Sequence, residues 1–364
     1  MDNQGDIGSG SVQPAIIPRP EHIVSRASIS SSALKVLYRL QEAGFQRFLV
    51  GGGVRDLLLG REPKDFDVAT NATPDEIRQL FRNCRLIGRR FRLAHVRFGR
   101  EIIEVATCRS RHDGQSHADS DRAHSEQGRI LRDNVYGEIE DDAWRRDFTV
   151  NALYYDIKDF SVVDYVGGLE DLKAGTLRLI GDPEQRYRED PVRMLRAVRF
   201  AAKLGFRIHP DSEAAIHELD YLLDDIPSAR LFEEVIKLFL GGCAVSTFEL
   251  LRHYDLFRRL FPMTEEALSH EEQGFPITFV LRALENTDKR LADNKPVTPA
   301  FLYAALLWEP VRLRTQALLD QGMSALEAAQ LAGNQITSEQ ILATSLPKRF
   351  SFPMREIWML QSRF

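Results

Sequence analysis

A chain of 364 residues is too long for one small core and implies two or three domains. With 43% hydrophobic and 28% charged residues it has an ordinary globular composition, and no run approaches 18 apolar residues, so collagen-like, wholly disordered and membrane-spanning classes are excluded. The 48 Lys and Arg against 53 Asp and Glu leave a net charge of −5, which rules out a uniformly basic nucleic-acid coat but not a local basic patch.

Residues 1–30 are rich in Gly, Ser, Pro and Gln and read as a flexible tail without an apolar leader. Ser32 followed by ALKVLYRLQEAG predicts a first helix with Leu34, Leu37 and Leu40 on one face and Gly44 as its stop. Phe48 to Val50 read as a strand entering Gly51-Gly52-Gly53, and VRDLLLG as a short helix ending at Gly60. DFDVA at 65–69 reads as a strand. Thr73-Pro74-Asp75-Glu76 has the form of a capped helix start. Strands are expected at 95–98 and 102–108, with a turn at Gly99.

Residues 112–128 are polar and read as a mobile loop; RRDFTVNALYYDI at 145–157 returns to core, and a strand at 176–180 closes the first domain. The remainder is helical in pattern, in PVRMLRAVRFAAKLG, ARLFEEVIKLFLGG, STFELLRHYDLFRRLF and PAFLYAALLW. Apolar residues close to the end, WMLQSRF, suggest a body that continues further. Cys84, Cys108 and Cys243 are far apart with no C-x-x-C, as expected of buried thiols in a reducing cytoplasm.

Three groups of residues carry chemistry. The first is LVGGGVRD followed by DFD. On a strand, Asp65 and Asp67 face the same side, and two carboxylates held that close raise each other's proton affinity unless a hard cation lies between them. Mg²⁺ suits the pair because it takes few carboxylates and shares its shell with phosphates. The glycines run from a strand into a helix and expose backbone N–H groups to a phosphate, with Arg55 one step further in. D-x-D alone is common on surfaces; together with Gly-Gly-x-x-Arg it favours an active site. No GK[ST] and no third glycine at the sixth position follow, which removes the P-loop and dinucleotide readings. The second group is Arg145-Arg146-Asp147, between a polar loop and a strand. The third is Glu189-Asp190-Pro191-Val192-Arg193, which opens a helix bearing Arg193, Arg196, Arg199 and Lys203 on one stripe, opposite Met194, Leu195, Val198, Ala201 and Ala202. As bare patterns, these two are a surface charge cluster and a solvated helix face.

In order, LVGGGVRDLLLG, KDFDVATNATP, RRDFTVNAL and EDPVRMLRAVRFAAKL resemble the class II nucleotidyltransferases of the polymerase-β superfamily, which include tRNA CCA-adding enzymes and bacterial poly(A) polymerases. The resemblance covers residues 45–240. It implies an α+β fold: a polymerase-β-like nucleotidyltransferase head with a small mixed sheet, followed by an all-α neck and body. The expected domains are a tail at 1–30, a catalytic head at 31–180, a neck at 181–242 and a truncated body at 243–364.

The resemblance also implies roles. Asp65 and Asp67 match the metal-binding catalytic pair, serving two Mg²⁺ ions. Gly52 and Arg55 match triphosphate-binding positions, and Arg146 a phosphate or ribose contact. Asp190 and Arg193 match the pair that reads the incoming base, with Arg196 a further nucleotide contact. Glu104, on a strand, and Asp147, in RRDFT, are equal candidates for a third catalytic carboxylate.

LIGRRFRLAHVRF at 86–98 resembles a segment typical of bacterial poly(A) polymerases and places Arg89, Arg90 and Arg92 to hold an RNA backbone. Residues 85–111 carry eight Arg against two acids, and 186–207 six Arg and one Lys against two, two basic patches within an acidic chain. The expected function is template-independent addition of AMP from ATP to the 3' ends of mRNA and other RNAs in the cytoplasm, away from membranes and in the company of RNA-decay proteins. The alternatives are CCA or A addition to tRNA and, from other classes, a catalytically silent RNA-binding protein or a nucleotidyl modifier of protein. Family members typically carry a basic C-terminal extension that this sequence lacks, which implies weak primer affinity.

Overall fold

The protein is described here by a computed structural model covering residues 13–88, 92–109, 122–124, 130–133, 137–269 and 275–361. The chain forms two compact units, Met1–Asp182 and Pro183–Phe364.

The first unit is α+β. It comprises β1 (Ala15–Ile17), α1 (Ser31–Glu42), β2 (Arg47–Val50), α2 (Gly52–Leu58), β3 (Asp67–Thr70), α3 (Pro74–Leu80), β4 (Cys84–Ile87), β5 (Leu93–Phe98), β6 (Glu101–Thr107), β7 (Arg122–His124), β8 (Ile130–Asp133), α4 (Ile139–Arg145), β9 (Leu153–Asp156), β10 (Val162–Asp164), α5 (Gly168–Ala174) and β11 (Thr176–Leu177). Eight strands form one mixed sheet in the order β1-β10-β9-β2-β3-β6-β5-β4. Within it β3 and β6 run parallel, so the chain crosses over between them through α3, β4 and β5.

The alternation of residues along β2, β3 and β6 divides the sheet into two rows. Leu49, Val68 and Val105 are register partners and are essentially inaccessible. One residue along, Val50, Asp67 and Glu104 are partners on the other face. Helix α1 packs on these strands through Ala33, Val36, Leu37 and Leu40. Its cap is Ser30, whose hydroxyl accepts from the Ala33 N–H at 3.1 Å; the expected start at Ser32 is two residues too late, and Ser32 is buried within the first turn. Helix α3 has the anticipated capping box, with the Glu76 carboxylate accepting from the Thr73 N–H at 2.8 Å.

Four expectations change. Residues 15–17 of the expected flexible tail form β1, which pairs antiparallel with β10, and Val24 and Ile29 are buried, so this stretch belongs to the first unit. The DFDVA strand begins only at Asp67, so Asp65 lies on the approach to the strand and not on it. Most of the polar loop at 112–128 lies outside the described residues, but Arg122–His124 within it pairs antiparallel with Ile130–Asp133, a short ribbon rather than a plain loop. The strand expected at 176–180 shortens to Thr176–Leu177. Its last residues instead hold the RRDFT segment: the Thr149 N–H donates to Arg178 O and the Ile180 N–H to Asp147 O, both at 3.0 Å.

The second unit is helical: α6 (Pro183–Glu189), α7 (Val192–Leu204), α8 (Pro210–Leu219), α9 (Ser228–Phe239), α10 (Ala244–His253), α11 (Phe257–Leu260), α12 (Pro262–Ser269), α13 (Phe275–Ala292), α14 (Pro299–Leu306), α15 (Trp308–Asp320), α16 (Ala325–Ala343) and α17 (Lys348–Gln361). Helix α6 was not legible in the sequence; it places Glu189 at a helix end, with Asp190 in the joint before α7. The segment 246–261 is broken where Asp255 adopts φ 57°. An aromatic core follows, with Phe248 edge-on to Phe257 at 5.0 Å and Phe257 stacked on Phe261 at 5.3 Å. Near the chain end the apolar residues divide, with Leu360 exposed and others packed within this unit. Met354 and Trp358 are buried, and the Trp358 indole donates to Ala304 O at 2.9 Å.

Candidate active site in the first unit and charge clusters in the second

The polar row of the sheet continues beyond Asp67. Tyr154 partners Val50, Glu104 partners Asp67, His95 partners Glu104 and Arg85 partners His95. This row runs from core to solvent: Tyr154 and Val50 are inaccessible, Asp67, Glu104 and His95 are half-buried, and Arg85 is exposed. Asp67 therefore sits where the sheet passes from core to solvent. Burial, then the Glu104 charge, and more weakly that of Asp65, push its carboxyl up to about 6, while Arg146 opposes them. The His95 ring lies 3.2 Å from Glu104 Oε1.

The glycine turn makes room at this point. Gly51 adopts φ 74°, and a Cβ there would lie 3.5 Å from Asp67 Oδ2 and 3.8 Å from Arg146 Nη1. A side chain would fill the space these two groups share. This bare cradle, beside an Asp67 carboxyl whose ionisation is disfavoured by burial and by the Glu104 charge, fits a divalent cation of the Mg²⁺ type. Among the described residues, no three His, Cys, Asp or Glu side chains are already drawn together as a ligand set.

Arg55 takes a different place from the one expected. Its guanidinium is buried, 2% exposed, and donates to Asp56 Oδ1 at 2.7–2.8 Å and to Asn151 Oδ1 at 2.6 Å. It folds back beneath Gly52, where a Cβ would lie 3.4 Å from Arg55 Nη2. The guanidinium thus ties α2 to the RRDFTVN segment. On the same segment, Asp147 Oδ1 accepts from the Phe148 N–H at 2.8 Å and from Asn151 Nδ2 at 3.4 Å.

Arg146 ends α4. Its Nε and Nη2 donate to Asp142 Oδ2 at 3.0 and 2.9 Å, and Nε also to the Tyr154 hydroxyl at 2.9 Å. The Tyr154 hydroxyl in turn donates to Asp142 Oδ2 at 2.8 Å. Burial works against the guanidinium charge, yet Tyr154 and Asp142 hold it above its ordinary basicity. Burial, above all, keeps the Tyr154 phenol neutral.

In the second unit, the Arg193 N–H donates to Asp190 O at 3.0 Å, but their side chains take different partners. Asp190 Oδ2 accepts from Arg230 Nη2 at 2.8 Å, whereas Arg193 Nη1 donates to Glu189 Oε2 at 2.9 Å and to Arg186 O at 2.6 Å. Arg196 and Arg199 both lie against the Phe200 ring, at 5.3 and 4.8 Å. Of the expected RNA-contacting arginines, Arg92 is exposed, as are Arg85, Arg97 and Arg100; Arg89 and Arg90 lie outside the described residues.

Sequence reasoning gave no role to Asp142, Tyr154, Asn151, His95 or Arg230, and named Glu189 only as part of the group that opens α7. Asp142 was findable, four residues before Arg146 on one helix face. Glu189 stands likewise four before Arg193. Tyr154 and His95 depend on strand register, and Arg230 is 40 residues from its partner.

Comparison with known proteins fits this geometry. The family model for the poly(A) polymerase head domain matches residues 47–178, that for the probable RNA and SrmB-binding site of polymerase A matches 205–268, and that for the arginine-rich C-terminus of polymerase A matches 321–364. Poly(A) polymerase I of Salmonella typhimurium is 53% identical over 352 residues, covering 96% of this chain and 75% of that protein. This chain belongs to the poly(A) polymerase I family. The poly(A) polymerase I of Haemophilus influenzae is 49% identical over 95% of this chain and 77% of its own length. The fold also matches a solved structure, the Bacillus stearothermophilus CCA-adding enzyme in complex with CTP, with a TM-score of 0.54 and 25% identity over 91% of this chain and 82% of that one. The match to the arginine-rich C-terminus model begins at residue 321, within the expected body, and the matched stretch holds three arginines. Among the described residues, no helix is long and apolar enough to cross a membrane.

Proposed function

We propose that this chain is a template-independent polynucleotide adenylyltransferase that adds AMP from ATP to RNA 3' ends in the cytoplasm, in mRNA polyadenylation and RNA decay. The observation that carries the reading is the row Asp67–Glu104 beside the Gly51 cradle, within a chain 53% identical to a poly(A) polymerase I. The primer 3' oxygen attacks the α-phosphorus of ATP, the bond to the bridging oxygen breaks, and pyrophosphate leaves. Asp65, Asp67 and Glu104 would hold two Mg²⁺ ions; when bound, these lower the cost of the primer alkoxide and of charge on the departing pyrophosphate.

Glu104 serves as the third carboxylate in this reading, because strand register sets it beside Asp67 and its charge acts on Asp67. Asp147 supports the ribose end from the RRDFT segment. Arg146 faces the nucleotide, and Gly52 offers its backbone to the triphosphate. Arg55 acts from below, by fixing the turn. In the helical unit Asp190 and Arg193 select the base, each held in orientation by its own partner, Arg230 and Glu189, and Arg196 adds a nucleotide contact. Arg89, Arg90 and Arg92 hold the primer backbone. The domain division we favour starts the head at β1, residues 15–17, and ends it near 180, with a neck at 181–242 and a body from 243 onward.

Incubation of the protein with Mg²⁺, each of ATP, CTP and UTP, and either oligo(A) or a tRNA lacking its 3' end tests the assignment. Long ladders with ATP on oligo(A) are expected. Addition of one to three residues on the tRNA alone would instead make it a CCA- or A-adding enzyme.

A further inference from the structure

We infer that Tyr154 and Asp142 are positioning residues for the nucleotidyl transfer: together they form a buried clamp that fixes the Arg146 guanidinium at the edge of the Gly51–Asp67 cradle. The inference rests on the reading of that cradle as the catalytic site.

One carboxylate oxygen organises the clamp. Asp142 Oδ2 accepts from Arg146 Nε, from Arg146 Nη2 and from the Tyr154 hydroxyl, all between 2.8 and 3.0 Å. The same Tyr154 hydroxyl accepts from Arg146 Nε at 2.9 Å, so the phenol both receives from the cation and gives to the anion. The Tyr154 ring lies beside the guanidinium as well, 5.3 Å from its carbon. Two planes are thereby fixed, that of the guanidinium and that of the carboxylate, and a charged group held by several short hydrogen bonds has little freedom left.

The clamp has rigid supports on both sides. Tyr154 is fully buried on β9, edge-on to Phe48 at 6.1 Å and to Tyr165 at 6.3 Å, and its strand pairs with β2 directly before the glycine turn. Asp142 is buried on α4, one turn before Arg146. The other edge of the guanidinium points at the cradle, since its Nη1 is 3.8 Å from the position a Gly51 Cβ would occupy. Asp142 balances most of the charge of Arg146, so the clamp contributes orientation more than positive potential. A guanidinium that needs no reordering when the nucleotide arrives lowers the barrier through preorganisation.

The test is a double-mutant cycle on the full chain, with Tyr154→Phe, Arg146→Ala and the double variant, read as kcat and KM for ATP on oligo(A) with Mg²⁺. Tyr154→Phe keeps the ring packing and removes only the hydroxyl. We expect it to lower kcat/KM for ATP by about tenfold, with KM for oligo(A) unchanged and the thermal unfolding midpoint within a few degrees. In the Arg146→Ala background the same change should cost less than about twofold. If Tyr154→Phe costs the same factor in both backgrounds, it acts through general structure and the clamp is refuted, while the role of Arg146 stands. If Arg146→Ala alone retains full activity, both the clamp and the placement of Arg146 at the nucleotide fall. Should Tyr154→Phe fail to fold, Asp142→Asn in the same cycle gives the same two readings.

Discussion

Two neighbouring rows of the same three strands differ in everything but backbone. Leu49, Val68 and Val105 form an inaccessible apolar row, and Val50, Asp67 and Glu104, shifted by one residue, form the row that reaches solvent with two carboxylates. Strand alternation explains the pairing of each row but not the assignment of roles. The apolar row lowers free energy by leaving water. The acidic row raises it, because like charges face each other across parallel strands and one of them is partly desolvated. In the proposed function that cost is relieved by a cation and the phosphates it accompanies.

The largest expected effect breaks the acidic row. Asp67→Asn should lower the rate of AMP addition at least about a thousandfold, equivalent to ~4 kcal/mol of transition-state stabilisation. Its thermal unfolding midpoint at pH 7.5 should stay level or rise, because the replaced carboxylate is disfavoured as an anion. A large loss of stability would put Asp67 in the structural row.

Val68→Ala is the opposite case. It should cost ~2 kcal/mol in denaturant unfolding through the lost methyls and the cavity left behind, with activity per folded molecule within about twofold of the parent.

Acidity separates the rows next. Asp67 titrates near 6 in the folded chain and lower in the unfolded one, so between these values the native state carries more protons and its contribution to stability falls as pH rises. Because cations bind the ionised form, the Mg²⁺ concentration for half-maximal activity should climb as pH drops below about 6. The unfolding cost of Val68→Ala should be the same at pH 5.5 and 7.5.

The smallest effect should touch both rows alike. Thr73→Ala removes the cap of α3, which lies in the crossover joining β3 to β6, at a cost of ~1 kcal/mol in denaturant unfolding with kcat unchanged. A selective loss of activity would mean that the crossover sets the acidic row's geometry more tightly than the apolar row's.

The sequence by itself determined whatever depends on near neighbours. Helix α3 and its capping box, the turns at Gly44 and Gly99, and α7 ending at Gly205 all follow from residues within one or two turns of each other. So does the presence of a carboxylate pair after a glycine turn, and the ordered motifs placed the chain in its family. Periodicity did not reveal α6, which is short and mostly polar, nor that Asp65 stops short of the strand, because an alternating pattern does not say where hydrogen bonding to a neighbour begins.

Only the tertiary structure decided which charges work together. Arg55 lies next to the glycines in sequence, yet it turns inward to Asp56 and to Asn151, nearly a hundred residues away. The Asp190 side chain takes Arg230 for its partner, not the side chain of Arg193. Glu104 reaches Asp67 by strand register alone, and Tyr154 reaches Arg146 across the sheet. Glu104 and Asp67 are brought together against their mutual repulsion; the other three pairings share a physical reason. Burial makes an unpaired charge expensive, so each buried ion takes the partner that the fold brings within reach, and sequence spacing carries no record of that distance.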